Sequence, residues 1–80
     1  MTNKEKYDKI FMETFNIPAE RLPGLKYQSI KEWDSVGHME LVSELEDAFD
    51  IEIETDDVID FSGYEKGMEI IGEKYNVKFE

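Results

Sequence analysis

Eighty residues, of which 40% are hydrophobic, suffice for one small domain spanning residues 1–80 with a modest core. Twenty acidic residues against nine basic ones give a net charge of −11, which argues against binding to nucleic acid or to anionic membranes. The chain has no cysteine, and we see neither a signal peptide nor a run of apolar residues long enough to span a membrane. We therefore expect a cytoplasmic protein, and we expect it to be a monomer.

The first predicted helix covers residues 2–15. Thr2 and Glu5 have the spacing of a capping box, in which each side chain bonds the backbone N–H of the other residue. Apolar residues recur at helical spacing on one face, namely at Tyr7, Ile10, Phe11 and Phe15. Because the residue before a proline avoids helical backbone angles, Pro18 predicts that the helix ends near Asn16.

A long loop is expected from Pro18 to Trp33, where no apolar period is sustained. Four apolar side chains should hold it against the core: Leu22, Leu25, Tyr27 and Ile30. Ser29 and Glu32 have capping-box spacing, which predicts a single helical turn. We expect Trp33 to pack inward and to fix the angle at which Asp34 is presented.

The second predicted helix runs from Ser35 to Phe49. Asp34 is a strong N-cap candidate, because its carboxylate can accept hydrogen bonds from the free N–H groups of the first turn. Ser35 would then be the first helical residue, with its hydroxyl beside the positive end of the helix dipole. A phosphate ester at this position would meet N–H donors. The inward stripe should consist of Leu41, Val42, Leu45, Ala48 and Phe49.

Three carboxylates follow Ser35 on this helix. Glu40, Glu44 and Asp47 stand at i, i+4 and i+7, which predicts an acidic ridge along one face. Like charges at this spacing cost about a few tenths of a kcal/mol each, and a basic partner surface would relieve that repulsion. An ordinary solvated face is the alternative, and we favour docking for the ridge as a unit because it adjoins the serine.

Acidic residues alternate with others over residues 50–56, a pattern that invites comparison with a calcium loop. The comparison fails because Thr55 stands where the sharp turn needs glycine, and Phe61 stands where the bidentate glutamate belongs. A dedicated metal site is therefore not expected. Ile51 and Ile53 should point inward from an extended connector.

A short third helix is predicted over residues 56–60, with Thr55 as its cap. Asp56 and Asp57 would occupy its first turn, where negative charge is favoured. Three apolar side chains should lie beside the mouth of the core: Val58, Ile59 and Phe61.

The last predicted helix starts at Ser62, which has capping-box spacing with Glu65. Its apolar stripe is Tyr64, Met68, Ile71 and Tyr75. Glycines at positions 67 and 72 weaken this helix, so packing must sustain it. Asn76 should stop it, and Phe79 could then fold back onto the core.

The segment from Asp34 to Phe49 resembles the attachment site of acyl carrier proteins. In that family, Asp-Ser-Leu opens a helix that continues with Glu-Leu and ends in an acidic run with Phe. The corresponding residues here are Asp34-Ser35-Val36, Glu40-Leu41-Val42 and Leu45-Glu46-Asp47-Ala48-Phe49. Order and spacing match over nearly the whole chain, but only this segment is specific. The resemblance implies an all-α four-helix bundle of three main helices and one short helix, with a long first loop.

The resemblance also implies that Ser35 carries 4′-phosphopantetheine through a phosphodiester, beside the capping Asp34. The thiol of this arm would hold an acyl or aminoacyl group as a thioester, and the chain itself would catalyse nothing. The implied partners are a phosphopantetheinyl transferase (the holo-carrier synthase) and an acyl- or aminoacyl-loading enzyme. They also include downstream transferases or synthases of a fatty acid, polyketide or related pathway. The residues expected to contact them are Val36, Glu40, Glu44, Asp47, Asp56 and Asp57. The short third helix would help to gate an acyl pocket.

Several departures from the family pattern bear on partner and cargo. Val36 replaces the usual leucine, which affects partner preference rather than attachment. Ser43 replaces an apolar residue near the acyl group in many relatives, which disfavours a long fatty acyl cargo. Aminoacyl and D-alanyl carriers share the remaining features and stay open.

Two alternative interpretations involve no phosphopantetheine arm. An acidic helical interaction module would show the same helices and charge, with Ser35 merely starting a helix. A catalytic pair of Ser35 and His38, the only histidine, lacks a third orienting group and an oxyanion hole.

Gly37 lowers helix propensity by about 1 kcal/mol relative to alanine, which predicts a loose first turn around Ser35.

Overall fold

The computed structural model describes residues 1–79 and contains four α-helices and one 3-10 turn. Helix α1 spans Asn3–Phe15, the 3-10 turn Ala19–Arg21, α2 Ser35–Phe49, α3 Thr55–Asp60 and α4 Tyr64–Lys74. Since these elements include no β-strand in residues 1–79, the predicted small all-α fold with three main helices and one short helix is confirmed. None of the helices in this part of the chain combines the length and apolar composition that crossing a bilayer demands.

Helix α1 begins and ends as its sequence predicts. The Glu5 backbone N–H donates to Thr2 Oγ1 at 3.1 Å, and the Thr2 N–H donates to Glu5 Oε1 at 2.8 Å, which completes the capping box. Asn16 closes the helix in the left-handed conformation with φ of 54°. The helix turns Tyr7, Phe11 and Phe15 into the core.

Aromatic rings from three segments form the centre of the core. The five fully buried rings are Tyr7, Phe11, Phe15, Trp33 and Phe61. Phe11 lies between the others, with its ring centroid 5.4 Å from that of Trp33 and 6.3 Å from that of Phe61. Apolar side chains of α2 and α4 complete this core: Leu41, Val42, Leu45, Ile70 and Ile71. The first loop, α1 and the segment after α3 are therefore fixed against one another by large buried rings.

The long first loop is held to the rest of the fold at several points. Leu22 and Leu25 are buried as predicted, whereas Ile30 is half-buried and Tyr27 is 36% exposed. The Tyr64 backbone N–H donates to the Leu25 carbonyl at 2.8 Å, which ties the loop to the start of α4. This anchoring determines where the chain enters α2.

Helix α4 starts two residues later than predicted, and Ser62 does not cap it. The Ser62 carbonyl instead accepts the Tyr27 N–H at 2.9 Å, and the backbone stays extended through Gly63. The Glu65 carboxylate accepts the Gly24 N–H at 2.9 Å rather than closing a capping box. Partners in the first loop thus replace the predicted local cap.

The start of α3 also differs from the prediction. Thr55 is its first helical residue rather than its cap, and Glu54 occupies the N-cap position. The Glu54 backbone N–H donates to the hydroxyl oxygen of Tyr75 at 2.9 Å. No side chain caps α3, and the bond to Tyr75 instead ties its N-cap residue to the end of α4.

Two further expectations concern loops. The predicted capping box of Ser29 and Glu32 does not form, because the Ser29 hydroxyl instead accepts the Lys26 N–H at 3.0 Å and donates to the Lys26 carbonyl at 2.5 Å. A single hydrogen-bonded turn does follow, in which the Trp33 N–H donates to the Ile30 carbonyl at 3.2 Å. At the other end of the chain, Phe79 folds back as expected. Its ring centroid lies 5.1 Å from that of Tyr7 and 5.9 Å from that of Phe49.

Candidate functional site

Ser35 is the first residue of α2 and is exposed. Asp34 caps the helix as predicted, because its Oδ1 accepts the Gly37 N–H at 2.8 Å. The Asp34 carbonyl accepts the His38 N–H at 2.8 Å and so begins the helical hydrogen-bond ladder. A group attached to the Ser35 hydroxyl would therefore stand at the positive end of the helix dipole, open to solvent.

Trp33 fixes the backbone that leads into this helix. Its ring is fully buried and stacks on Phe15 with centroids 5.1 Å apart and an interplanar angle of 27°. Its carbonyl accepts the Gln28 N–H at 2.9 Å. The prediction that Trp33 packs inward is confirmed, and the residue just before the Asp34 cap is held in the core.

Gly37 lies where the first turn of α2 meets the preceding loop, and the space there admits no side chain. The residue is buried, and a Cβ atom there would overlap the Glu32 carbonyl oxygen and lie 3.3 Å from Phe15 Cε1. The prediction of a loose first turn considered helix propensity alone and did not include this contact. The absence of a side chain lets the helix start pack directly against the loop backbone.

His38 uses both ring nitrogens within the fold. Its Nδ1 lies 2.9 Å from Trp33 Nε1, and its Nε2 lies 2.8 Å from the Val58 carbonyl oxygen. An indole N–H can only donate and a carbonyl can only accept, so the ring must be neutral with its proton on Nε2. Neither nitrogen is directed to Ser35 in this arrangement, so the two residues do not form a catalytic pair here.

An apolar hollow of about 480 Å³ adjoins the serine on the outer side of α2. Its lining residues are Ser35, Val36, Met39, Glu40 and Ser43. Val36 is 67% exposed and Met39 is 55% exposed, which makes them the apolar surface closest in sequence to the hydroxyl. Met39 was not predicted as a contact residue, although its position four residues after Ser35 places it on the same helix face.

The predicted acidic ridge lies on the surface. Glu40, Glu44 and Asp47 are all exposed. Glu40 and Glu44 also line a cleft of about 450 Å³ that faces α1, where Glu13 adds a further carboxylate. The sequence analysis did not connect Glu13 with the ridge, because residues on different helices share no period. The result is a strongly negative surface that begins beside the hollow and would attract basic side chains.

The two aspartates of α3 occupy different environments. Asp56 is exposed, as a partner contact requires, whereas Asp57 is 4% exposed. The Asp57 carboxylate accepts the Lys74 ammonium at 2.6 Å and the Tyr75 hydroxyl at 2.6 Å. The assignment of Asp57 as a partner contact is therefore corrected, because its two oxygens bind α3 to the end of α4.

The Asp57 cluster predicts a specific response to acid. The hydrogen bond from Lys74, and next the one from Tyr75, lower the pKa of Asp57 below its usual 3.8. A lowered folded-state pKa stabilises the fold above the unfolded-state value, and this contribution is lost as the pH falls through the folded-state value. Asp57→Asn should therefore destabilise the protein at pH 7, and the difference from wild type should shrink below about pH 4.

Urea unfolding of wild type and Asp57→Asn at neutral and acidic pH measures this effect. Asp56→Asn is the matched control, since the neighbouring carboxylate is exposed and should change stability little at either pH. A deficit of Asp57→Asn that stays constant down to pH values well under 4 would contradict the assigned role.

The three side chains expected beside the mouth of the core lie around one cavity. Phe61 is buried, Val58 is half-buried and Ile59 is 73% exposed. They line a cavity of about 260 Å³ together with Tyr27, His38 and Ser62. This cavity opens one helical turn below Ser35, since His38 lies three residues further along α2.

The acidic connector between α2 and α3 is organised by packing. Ile53 is buried and Ile51 is half-buried, as predicted. The Ile53 N–H donates to Glu46 Oε2 at 2.8 Å. Across the 79 residues described, no three side chains from His, Cys, Asp or Glu come together as ligands for a metal ion.

The features of the site follow one another along α2. The capped serine opens the helix, the apolar hollow lies beside it, and the acidic ridge continues from Glu40 to Asp47. Comparison of the chain with protein-family models, with curated proteins and with solved structures gave no match in any of the three.

Proposed function

We propose that this chain is a carrier protein that bears 4′-phosphopantetheine on Ser35 and presents acyl or aminoacyl thioesters to partner enzymes. The observation that carries the proposal is the exposed Ser35 at the first position of α2, beside the Asp34 cap and the buried Trp33. The resemblance of residues 34–49 to the attachment site of acyl carrier proteins supplies the chemistry. The surrounding all-α fold supports the proposal but is not specific to carriers.

The attachment step needs only a reachable hydroxyl from this chain. Within a transferase, Ser35 Oγ would attack the phosphorus of coenzyme A that bears the pantetheine arm, forming a new O–P bond. The pyrophosphate bond breaks, 3′,5′-adenosine bisphosphate leaves with the bonding electrons, and the serine proton passes to a base of the transferase. The resulting phosphodiester keeps one negative charge, which the N-terminal end of α2 favours.

The composition and surface fit a passive carrier. Because the chain has no cysteine, the thiol that forms a thioester must come from the arm. The acidic ridge would attract basic surfaces of the transferase and of the loading and downstream enzymes, while Val36 and Met39 offer apolar contact next to the attachment point. Docking at this face would hold the thioester near each active site at high effective concentration.

Intact-mass measurement after incubation with coenzyme A, Mg²⁺ and a broad-specificity phosphopantetheinyl transferase tests the proposal. Wild type should gain the mass of one phosphopantetheinyl group, and Ser35→Ala should gain none. Ser43→Ala is the matched control and should react like wild type, because Ser43 is an exposed serine further along the same helix. If wild type gains no mass with several transferases, an acidic interaction module without an arm becomes the better account.

Docking through the acidic ridge predicts a salt-dependent rate. The double change Glu40→Lys and Asp47→Lys should slow arm transfer about tenfold at low ionic strength, because it removes attraction that steers encounter. The deficit should largely disappear at about 0.5 M salt, where charges are screened over a few ångströms. Initial rates of coenzyme A consumption at both ionic strengths measure the effect.

A control variant with the same change in net charge distinguishes docking at the ridge from the effect of the protein's overall charge. Glu69→Lys and Glu73→Lys reverse two exposed carboxylates of α4. We expect this variant to transfer the arm considerably faster than the ridge variant at low salt. Equal slowing by the two pairs, or a ridge variant that is unaffected at low salt, would rule out docking at the ridge.

A further inference from the structure

The cavity of about 260 Å³ near Ser35 ends at an aromatic wall. Its inner side is formed by His38 and by Phe61, which is 1% exposed, and its rim by the largely exposed Ile59. Tyr27, Val58 and Ser62 complete the lining. The cavity is therefore apolar for most of its surface, and the buried Phe61 ring forms part of its wall.

The His38 ring closes this wall because it is held on every side. Its centroid lies 5.2 Å from that of Tyr27, 5.9 Å from that of Phe61 and 6.1 Å from that of Trp33. Its two nitrogens bond Trp33 Nε1 and the Val58 carbonyl oxygen. Rotating the ring out of the wall would break both hydrogen bonds and leave the indole N–H without its acceptor, which is costly in a buried place.

Behind the ring lies the centre of the core. Trp33 and Phe61 both contact Phe11 there, and all three rings are buried. Removing the imidazole would join the outer cavity to the faces of Trp33 and Phe61 that the imidazole now covers. The imidazole therefore separates the cavity from Trp33, whereas the Phe61 ring already forms part of the cavity wall.

We propose that His38 seals the cavity from the aromatic core, so that cargo on Ser35 remains at the surface and belongs to the class of small or polar acyl and aminoacyl groups. This inference rests on the proposed carrier function. A long alkyl chain would gain little from the present structure, because a solvent-open cavity of about 260 Å³ that ends at the His38 ring shelters only its nearest segment. A short or polar group has no such need for an apolar chamber.

An acyl series loaded onto Ser35 tests the seal. Transferase would attach the arm from coenzyme A, acetyl-coenzyme A, hexanoyl-coenzyme A and decanoyl-coenzyme A, with intact mass confirming each product. The wild-type unfolding midpoint and the rate of thioester cleavage by hydroxylamine should not depend on chain length. A midpoint that rises with chain length, or a decanoyl thioester cleaved many times more slowly than the acetyl one, would overturn the proposal.

Two variants separate the ring from its hydrogen bonds. His38→Ala opens the wall, and its unfolding midpoint should rise with the length of the attached acyl chain. His38→Phe keeps a ring in the wall while losing both hydrogen bonds, and its midpoint should stay independent of chain length. If His38→Ala is as insensitive to chain length as wild type, His38 is not the seal.

A final experiment does not depend on modification of Ser35. Benzene binds enclosed apolar cavities, so it should raise the unfolding midpoint of unmodified His38→Ala clearly more than that of wild type or His38→Phe, whose cavity is open to solvent. Equal stabilisation of wild type and His38→Ala by benzene would overturn the seal even if the carrier function holds. Failure of every coenzyme A derivative to modify Ser35, together with the expected benzene result, would overturn the carrier function and leave the seal in place.

Discussion

Replacing Gly67 with alanine is expected to lower the free energy of unfolding by about 2–3 kcal/mol, the upper part of the range for overpacked cores. A Cβ atom at this position would overlap the Phe61 ring and the Tyr7 hydroxyl. Both neighbours are fully buried, and the Tyr7 hydroxyl donates to the Tyr64 carbonyl at 2.7 Å, so neither can move without further loss. Urea unfolding followed by fluorescence of the single tryptophan measures the change.

Gly72 provides a control of opposite sign on the same helix. A Cβ atom there would meet only the Val77 carbonyl oxygen at 3.4 Å and Phe79 Cδ2 at 3.7 Å, which are ordinary contacts. Gly72→Ala should therefore stabilise the protein by about 1 kcal/mol through helix propensity. If the Gly67 and Gly72 variants shifted stability in the same direction, the close approach at Gly67 would be contradicted.

Replacing Gly37 with alanine is expected to lower the free energy of unfolding by about 2 kcal/mol and to slow arm transfer to Ser35. The added Cβ atom would overlap the Glu32 carbonyl oxygen, which belongs to the backbone just before the buried Trp33. The clash can be relieved only by moving the start of α2 away from the loop, and this movement displaces the serine. Urea unfolding and the initial transfer rate measure the two effects.

Val36→Ala is the matched control for the first turn of α2. Val36 is 67% exposed, so its truncation should change stability by no more than about 0.5 kcal/mol. A Gly37→Ala protein as stable as Val36→Ala, with an unchanged transfer rate, would show that the turn tolerates a side chain.

The elements that the sequence predicted well are those whose signals are local. The capping box of Thr2 and Glu5 and the cap of Asp34 involve residues three apart, so the spacing alone was sufficient. The starts of α3 and α4 were misplaced because their partners are distant. The backbone N–H of Glu54, the N-cap residue of α3, donates to the Tyr75 hydroxyl oxygen 21 residues away, and no local pattern contains that information.

The residues of the candidate site also fall into two groups, those predicted from local spacing and those whose contacts are distant in sequence. The exposed serine and the acidic ridge follow from helical spacing, and they lie on the surface as expected. Asp57 was misassigned because a surface carboxylate and one that binds Lys74, 17 residues later, look identical in sequence. The contact of His38 with the Val58 carbonyl oxygen spans 20 residues, and no local pattern predicts it. Gly37 was read through helix propensity, whereas its place in the fold depends on the Glu32 carbonyl oxygen.

The acid response of Asp57 and the packing of Gly67 concern the contacts of α3 and α4 with the rest of the fold rather than the serine itself. Together with the buried Trp33 they describe a packed base for the exposed hydroxyl. Such a base suits a carrier, because the flexible arm can move between enzymes while its attachment point stays fixed.

The most direct test of the carrier account is fragmentation mass spectrometry of the protein purified from cells that produce it together with a phosphopantetheinyl transferase. The account predicts one phosphopantetheinyl group, located on the peptide that contains Ser35 and lost from Ser35→Ala. An unmodified wild-type protein, or a group found on another residue while Ser35 stays free, would contradict it.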